Sequence, residues 1–117
     1  LKDAQPGESS KVMRERVIRA RKLQEQRFAA YNEAAKKPIH SNAQMTPKLV
    51  REFCQLDTAS DKMLSYAMDK MGLSARAYDR ILKVARTIAD LAGNDSIQIQ
   101  HISEAIGYRR LEREDRV

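Results

Sequence analysis

The stretch GLSARAYDRILKVARTIADLAG, residues 72 to 93, constrains the fold most, because it specifies a helix with both ends marked. Ser74 stands where an N-cap belongs, Ala75 to Ala92 form the body, and Gly93 can take the left-handed conformation that closes a helix. Tyr78, Ile81, Leu82, Ala85, Ile88, Ala89 and Ala92 recur every three or four residues, so one face must be buried. Arg86 and Asp90 are spaced for an i,i+4 ion pair on the same helix.

Other segments supply faces of the same period. Residues 1–9 contain Pro6 and Gly7 without periodicity and read as a linker, with a long first helix beginning near Ser10. Its stripe is Met13, Val17, Ala20, Phe28, Tyr31 and Ala35, with Gln24 as the sole polar member, and Pro38 stops it after about Ala35. The segment KPIHSNAQM is a loop. Thr46 followed by Pro47 starts a short second helix that reaches about Cys54. Asp57 or Thr58 caps a third, with Met63, Leu64, Ala67, Met68 and Met71 inward and Gly72 as its stop. SIQIQ allows no more than one extended bridge, and Ile102, Ala105 and Ile106 define a last helix to about Leu111, with His101 packed or capping in its first turn. The expected fold is all-α: a compact bundle of about five helices, residues 10–117, with a long first helix.

Composition removes several function classes. No apolar run has the length of a membrane span. The lone Cys54 allows no internal disulfide and, beside Phe53, reads as a buried inert thiol, so a reducing, cytoplasmic setting is the default. His40 and His101 have no cysteine or carboxylate at ligand spacing, and no glycine precedes a Lys-Ser or Lys-Thr pair, so neither a metal site nor a P-loop is expected. The net charge of +6 is concentrated: residues 11–37 hold nine Lys or Arg against three Glu. Lys11, Arg14, Arg16, Arg19, Arg21, Lys22 and Arg27 surround the non-core arc of helix 1, either as a nucleic-acid or subunit contact or as a solvated face.

One residue departs from helix-end electrostatics. Arg76 lies in the first turn of the fourth helix, where backbone N–H groups and the macrodipole disfavour a cation by a few tenths of a kcal/mol up to about 1. Ser74, the dipole and the guanidinium could together hold an anion, and Arg80 follows one turn later as a secondary candidate.

Four colinear blocks, GESSKVMRERVIRARKLQEQRF, LVREFCQLD, GLSARAYDRILKVARTIADLAG and EAIGYRRLER, resemble the C-terminal helical domain of the magnesium-chelatase-like AAA+ ATPases over residues 7 to 113. The resemblance implies the lid that follows a nucleotide-binding core, with Ser74 and Arg76 matching the Ser-x-Arg that provides the sensor 2 contact to the γ-phosphate of ATP. It implies ATP with Mg in the full-length protein, none bound to this chain alone, and no catalysis without the P-loop and Walker B acid of the core. Its implied partners are that core and neighbouring subunits of a hexameric ring, with DNA as a further possibility because competence members of the family act in branch migration. The chain starts at Leu1 without an initiator methionine and reads as a fragment or a processed product. The alternative is an independent DNA-binding bundle using Arg14, Arg16, Arg19, Arg21, Lys22 and Arg27.

Overall fold

A computed structural model describes residues 6–115, with side chains described for 10–110. The described chain folds into α1 (Pro6–Ala34), α2 (Pro47–Phe53), α3 (Thr58–Met71), α4 (Ala75–Ala92) and α5 (Ile99–Asp115), with a 3₁₀ turn at Asn42–Gln44 between α1 and α2. The fold is the expected small all-helical bundle. Boundaries differ at two places. α1 begins at Pro6 rather than near Ser10, so residues 6–9 are helical and not linker; residues 1–5 lie outside the described region. Proline fits there because the first helical N–H has no intrahelical acceptor to lose. α5 runs to Asp115, beyond Leu111. SIQIQ forms no bridge: Ile97 enters the core at 2% exposure, and the helix starts two residues later.

Local chemistry fixes the helix ends. Leu49 N–H donates to Thr46 Oγ1 at 3.3 Å, Ser60 N–H to Asp57 Oδ1 at 2.7 Å and Ala77 N–H to Ser74 Oγ at 3.2 Å. The Ser60 N–H holds the Asp57 carboxyl below its ordinary pKa. Gly72 and Gly93 close α3 and α4 at φ +61° and +76°, a region that L side chains rarely enter. His101 Nδ1 accepts the Gln98 N–H at 2.9 Å, capping α5. Burial, with the Arg86 charge nearby, lowers the imidazole pKa and favours the neutral form that can accept this bond.

α4 is the axis of the bundle. α5, α1, the 3₁₀ turn and α2 pack on it, and α3 packs on α5. Ile81, Leu82, Ala85 and Ala89 of α4 meet Phe28, Val50, Leu64, Ile102 and Ala105 in the core. Phe28 sets its ring edge-on to Phe53, with centroids 5.9 Å apart. Cys54 is buried, and loss of solvent pushes its thiol up to about 11 against the pull of Arg86 and Arg27, so it stays protonated and unreactive.

The α1 stripe is only partly used. Ala20, Gln24 and Phe28 are buried, whereas Met13, Val17 and Tyr31 are exposed. At 1.5 Å per residue α1 is roughly 43 Å long against about 27 Å for α4, so its N-terminal half overshoots the surface it packs on. The radius of gyration, 15.6 Å, exceeds the about 13 Å of a compact domain of this length. On α4, Ala92 is also exposed, and buried Arg86 and Asp90 share the inner face with the aliphatic residues.

Phe28→Ala is expected to cost about 3–5 kcal/mol of stability in urea unfolding. Met13→Ala, at an exposed position on the same stripe, should change it by less than about 0.5 kcal/mol.

Candidate functional site

The site begins with what immobilises α4. Asp90 is fully buried, 0% exposed, and its carboxylate accepts five hydrogen bonds. Arg27 of α1 binds it with both terminal nitrogens at 2.8 and 2.7 Å. Asn42 Nδ2 donates at 2.9 Å, Gln24 Nε2 at 3.1 Å and Arg86 Nε at 3.2 Å. Burial alone would raise the Asp90 pKa, but hydrogen bonds from Arg27 and Asn42 and the charges of Arg27 and Arg86 more than offset it, so the net shift is downward. The second cation is compensated by backbone: Arg86 donates to the carbonyls of Asn94 at 2.9 Å and Asp95 at 3.0 Å, just past the negative end of the α4 dipole. Asn42 completes the node, accepting from Arg27 Nη1 at 2.9 Å and donating its backbone N–H to Gln24 Oε1 at 3.1 Å and its amide to Thr87 Oγ1 at 3.0 Å.

At the other end of α4 lie the residues singled out by the sequence. Ala77, 2% exposed, and half-buried Tyr78 anchor the first turn, leaving Arg76 and Arg80 exposed. Ser74 has its hydroxyl engaged in the cap. Arg76, Arg80 and Lys83 stand at i, i+4 and i+7, one face of the helix, and line an open recess of about 500 Å³ with Asp79, Val84, Ala43 and Pro47. Lys83 also donates to the Ala43 carbonyl at 3.3 Å, tying the recess to the 3₁₀ turn. Two guanidinium groups and an ammonium near a helix N-terminus suit a polyphosphate. Asp79 is the single carboxylate among the described lining residues, so the recess does not supply a ligand set for Mg.

The α1 cations divide into two groups. Arg14, Arg16, Arg19, Arg21 and Lys22 are exposed on the overshooting half and the turn that follows it. Arg27, expected among them as a nucleic-acid contact, is instead committed to the interior as the bidentate partner of Asp90, with its side chain 11% exposed. Arg27 turns inward because its guanidinium, within reach of a buried carboxylate, satisfies both acceptor oxygens at once. The Arg86–Asp90 pair does form, but as part of this buried node and not as a surface bridge. Gln24 as a polar member of an apolar stripe and the i,i+4 spacing of Arg86 and Asp90 are the traces of the node in the sequence. Asn42, in a loop without periodicity, left none. Among the described residues, no group of three or more His, Cys, Asp or Glu could hold a metal ion, and no helix is long and apolar enough to cross a membrane.

Comparison with known proteins places residues 7–109 on the family model described as magnesium chelatase, subunit ChlI C-terminal. The chain is 40% identical over 107 residues to the competence protein ComM of Haemophilus influenzae, covering 92% of this chain and 19% of that protein. It is 40% identical over 108 residues to the uncharacterized protein YifB of Escherichia coli, covering 92% and 19%. It is 34% identical over 107 residues to the uncharacterized protein Rv2897c of Mycobacterium tuberculosis, covering 92% and 20%. The chain thus spans about a fifth of the length of the curated relatives it matches.

The Asp90 node makes stability depend on pH. With its folded pKa below that of the unfolded chain, Asp90 contributes stability above about pH 4, which is lost as pH falls through the lower folded value. Asp90→Asn should remove that share of the acid sensitivity in urea titrations between about pH 5 and 2. Arg27→Ala, which leaves the carboxylate short of its main partner, should cost about 3–5 kcal/mol at neutral pH, whereas Arg19→Ala should stay within about 0.5.

Proposed function

The chain belongs to the family of the magnesium chelatase subunit ChlI C-terminal domain, and from this we propose that it serves as the helical lid of an AAA+ ATPase, with Arg76 reaching ATP held by a separate nucleotide-binding core. The observation that carries the reading is the position of Arg76: exposed in the first turn of α4, on one recess with Arg80 and Lys83, in the segment that resembles the family's sensor 2. Arg76 provides a planar, permanently charged fork for the γ-phosphate, and Arg80 is a second candidate for the phosphate chain. Ser74 contributes by fixing the turn from which Arg76 projects, through its cap on Ala77. ATP and Mg supply the chemistry of phosphoryl transfer, and the metal's ligands come from the core. This chain's own part is to bind and orient, and it does not catalyse by itself.

In this reading the parent protein is a cytoplasmic motor whose partners are its own core and neighbouring subunits of a ring. Because α4 is clamped to α1, the 3₁₀ turn and the α4–α5 loop through Asp90, a pull on Arg76 is borne by the whole bundle and changes the angle between lid and core. One relative is named a competence protein, and we extend the proposal to work on DNA. A second reading, direct DNA contact by this domain, is favoured by the exposed set Arg14, Arg16, Arg19, Arg21 and Lys22 on α1.

Arg76→Ala in the full-length protein should lower ATP turnover at least about tenfold, or roughly 1.4 kcal/mol, with an unchanged melting midpoint for the lid. Turnover at the wild-type level removes the sensor role. For the second reading, the 117-residue chain should bind duplex DNA with an affinity that falls steeply with salt, and no binding at low salt removes it.

A further inference from the structure

The overshooting half of α1 and the outer face of α4 and α5 enclose a cleft that the lid reading does not use. Met13 and Val17 continue the buried stripe of α1 beyond the bundle, 60% and 38% exposed. Beside them, Arg16 lines a recess of about 470 Å³ with Val84, Ile88, Leu91 and Tyr108, and Val17 lines an adjoining recess that shares Thr87 and Leu91 with it. Val84 is 38% and Tyr108 50% exposed, so the apolar lining of the recess meets solvent.

Charge borders this surface. At 100° per residue, Arg16 lies along one edge of the Met13–Val17 stripe, and Arg14 and Arg21 lie along the other. Arg16 and Lys83 also line the recess. Its one carboxylate among the described lining residues, Glu104, accepts the Tyr108 hydroxyl at 2.9 Å. We propose that this cleft docks an amphipathic helix of a partner protein, apolar face inward, with carboxylates along both of its edges. An aliphatic floor rewards Leu, Ile or Met side chains, and cations on both rims require acidic flanks. A second copy of α1 would bring arginine against arginine. A nucleic-acid strand would find Tyr108 as the one aromatic ring among the described lining residues, too little for successive stacked bases. The proposal needs neither Arg76 nor Arg80, although Lys83 and Val84 line both recesses.

The test uses the full 117-residue chain and a fluorescein-labelled designed helix of about 18 residues, with Leu on one face and Glu on both edges. Fluorescence anisotropy should show saturable binding that weakens at least tenfold between low and high salt. Val84→Asp and Arg16→Glu, both at solvent-accessible positions, should each reduce affinity at least tenfold while the melting midpoint is retained. Equal binding of a Lys-edged peptide, no binding at millimolar peptide, or full affinity in the Arg16→Glu chain would overturn the proposal. So would binding of a poly-dT oligonucleotide in place of the peptide, or a chain that sediments as a dimer closed over the cleft. In the full-length protein without partner, hydroxyl-radical footprinting should label Met13 and Val84, and protection of both by the protein's own remaining segments overturns it as well.

Discussion

A single buried carboxylate organises this domain. Asp90 draws two guanidinium groups and two amides out of water, and those groups come from three stretches of chain: α1, the 3₁₀ turn and α4 itself. Gln24 and Arg27 bring in α1, Asn42 brings in the 3₁₀ turn, and Arg86 carries the network to the loop that precedes α5. An ion pair placed in a core is no guarantee of stability, because desolvation takes back much of the Coulomb gain. What it does provide is register. An aliphatic side chain can slide by a turn at little cost, but five directional bonds to two oxygens permit one arrangement of α1 against α4.

That register gives α4 two faces with separate tasks. The inner face joins aliphatic packing near its middle to the polar node near its C-terminal end. Its outer face presents Arg76, Arg80 and Lys83 in sequence and then the aliphatic floor that begins at Val84. From Arg76 to Asp90 is about 21 Å along a continuous helix. The anchored end and the exposed end therefore move as one rod, and a force applied to Arg76 has few soft degrees of freedom to dissipate into.

Much of this was legible in the residues. Thr46, Asp57, Ser74, Gly72 and Gly93 act as helix punctuation because capping is local chemistry, decided within three or four residues of the backbone group being satisfied. The buried state of Cys54 and the capping role of His101 followed from their immediate neighbours. The inward position of Arg27 is not legible, for the opposite reason. On a helical wheel it borders the stripe and looks like its basic neighbours, and nothing local distinguishes an arginine that meets a carboxylate 63 residues later in the chain. Met13 and Val17 were equally opaque: periodicity shows that a face is apolar and is silent on whether the bundle is long enough to cover it.

The sequence by itself determined the helices, the caps at Thr46, Asp57, Ser74, Gly72 and Gly93, the apolar stripe on each helix and the family to which they correspond, because these depend on interactions between residues close in the chain. The tertiary structure decided which of the basic residues of α1 faces inward, that a loop asparagine closes the Asp90 node, and that the first half of α1 stands away from the bundle beside an open cleft. Those outcomes depend on helix lengths and on polar groups distant in sequence arriving at one point, and no local pattern encodes that meeting.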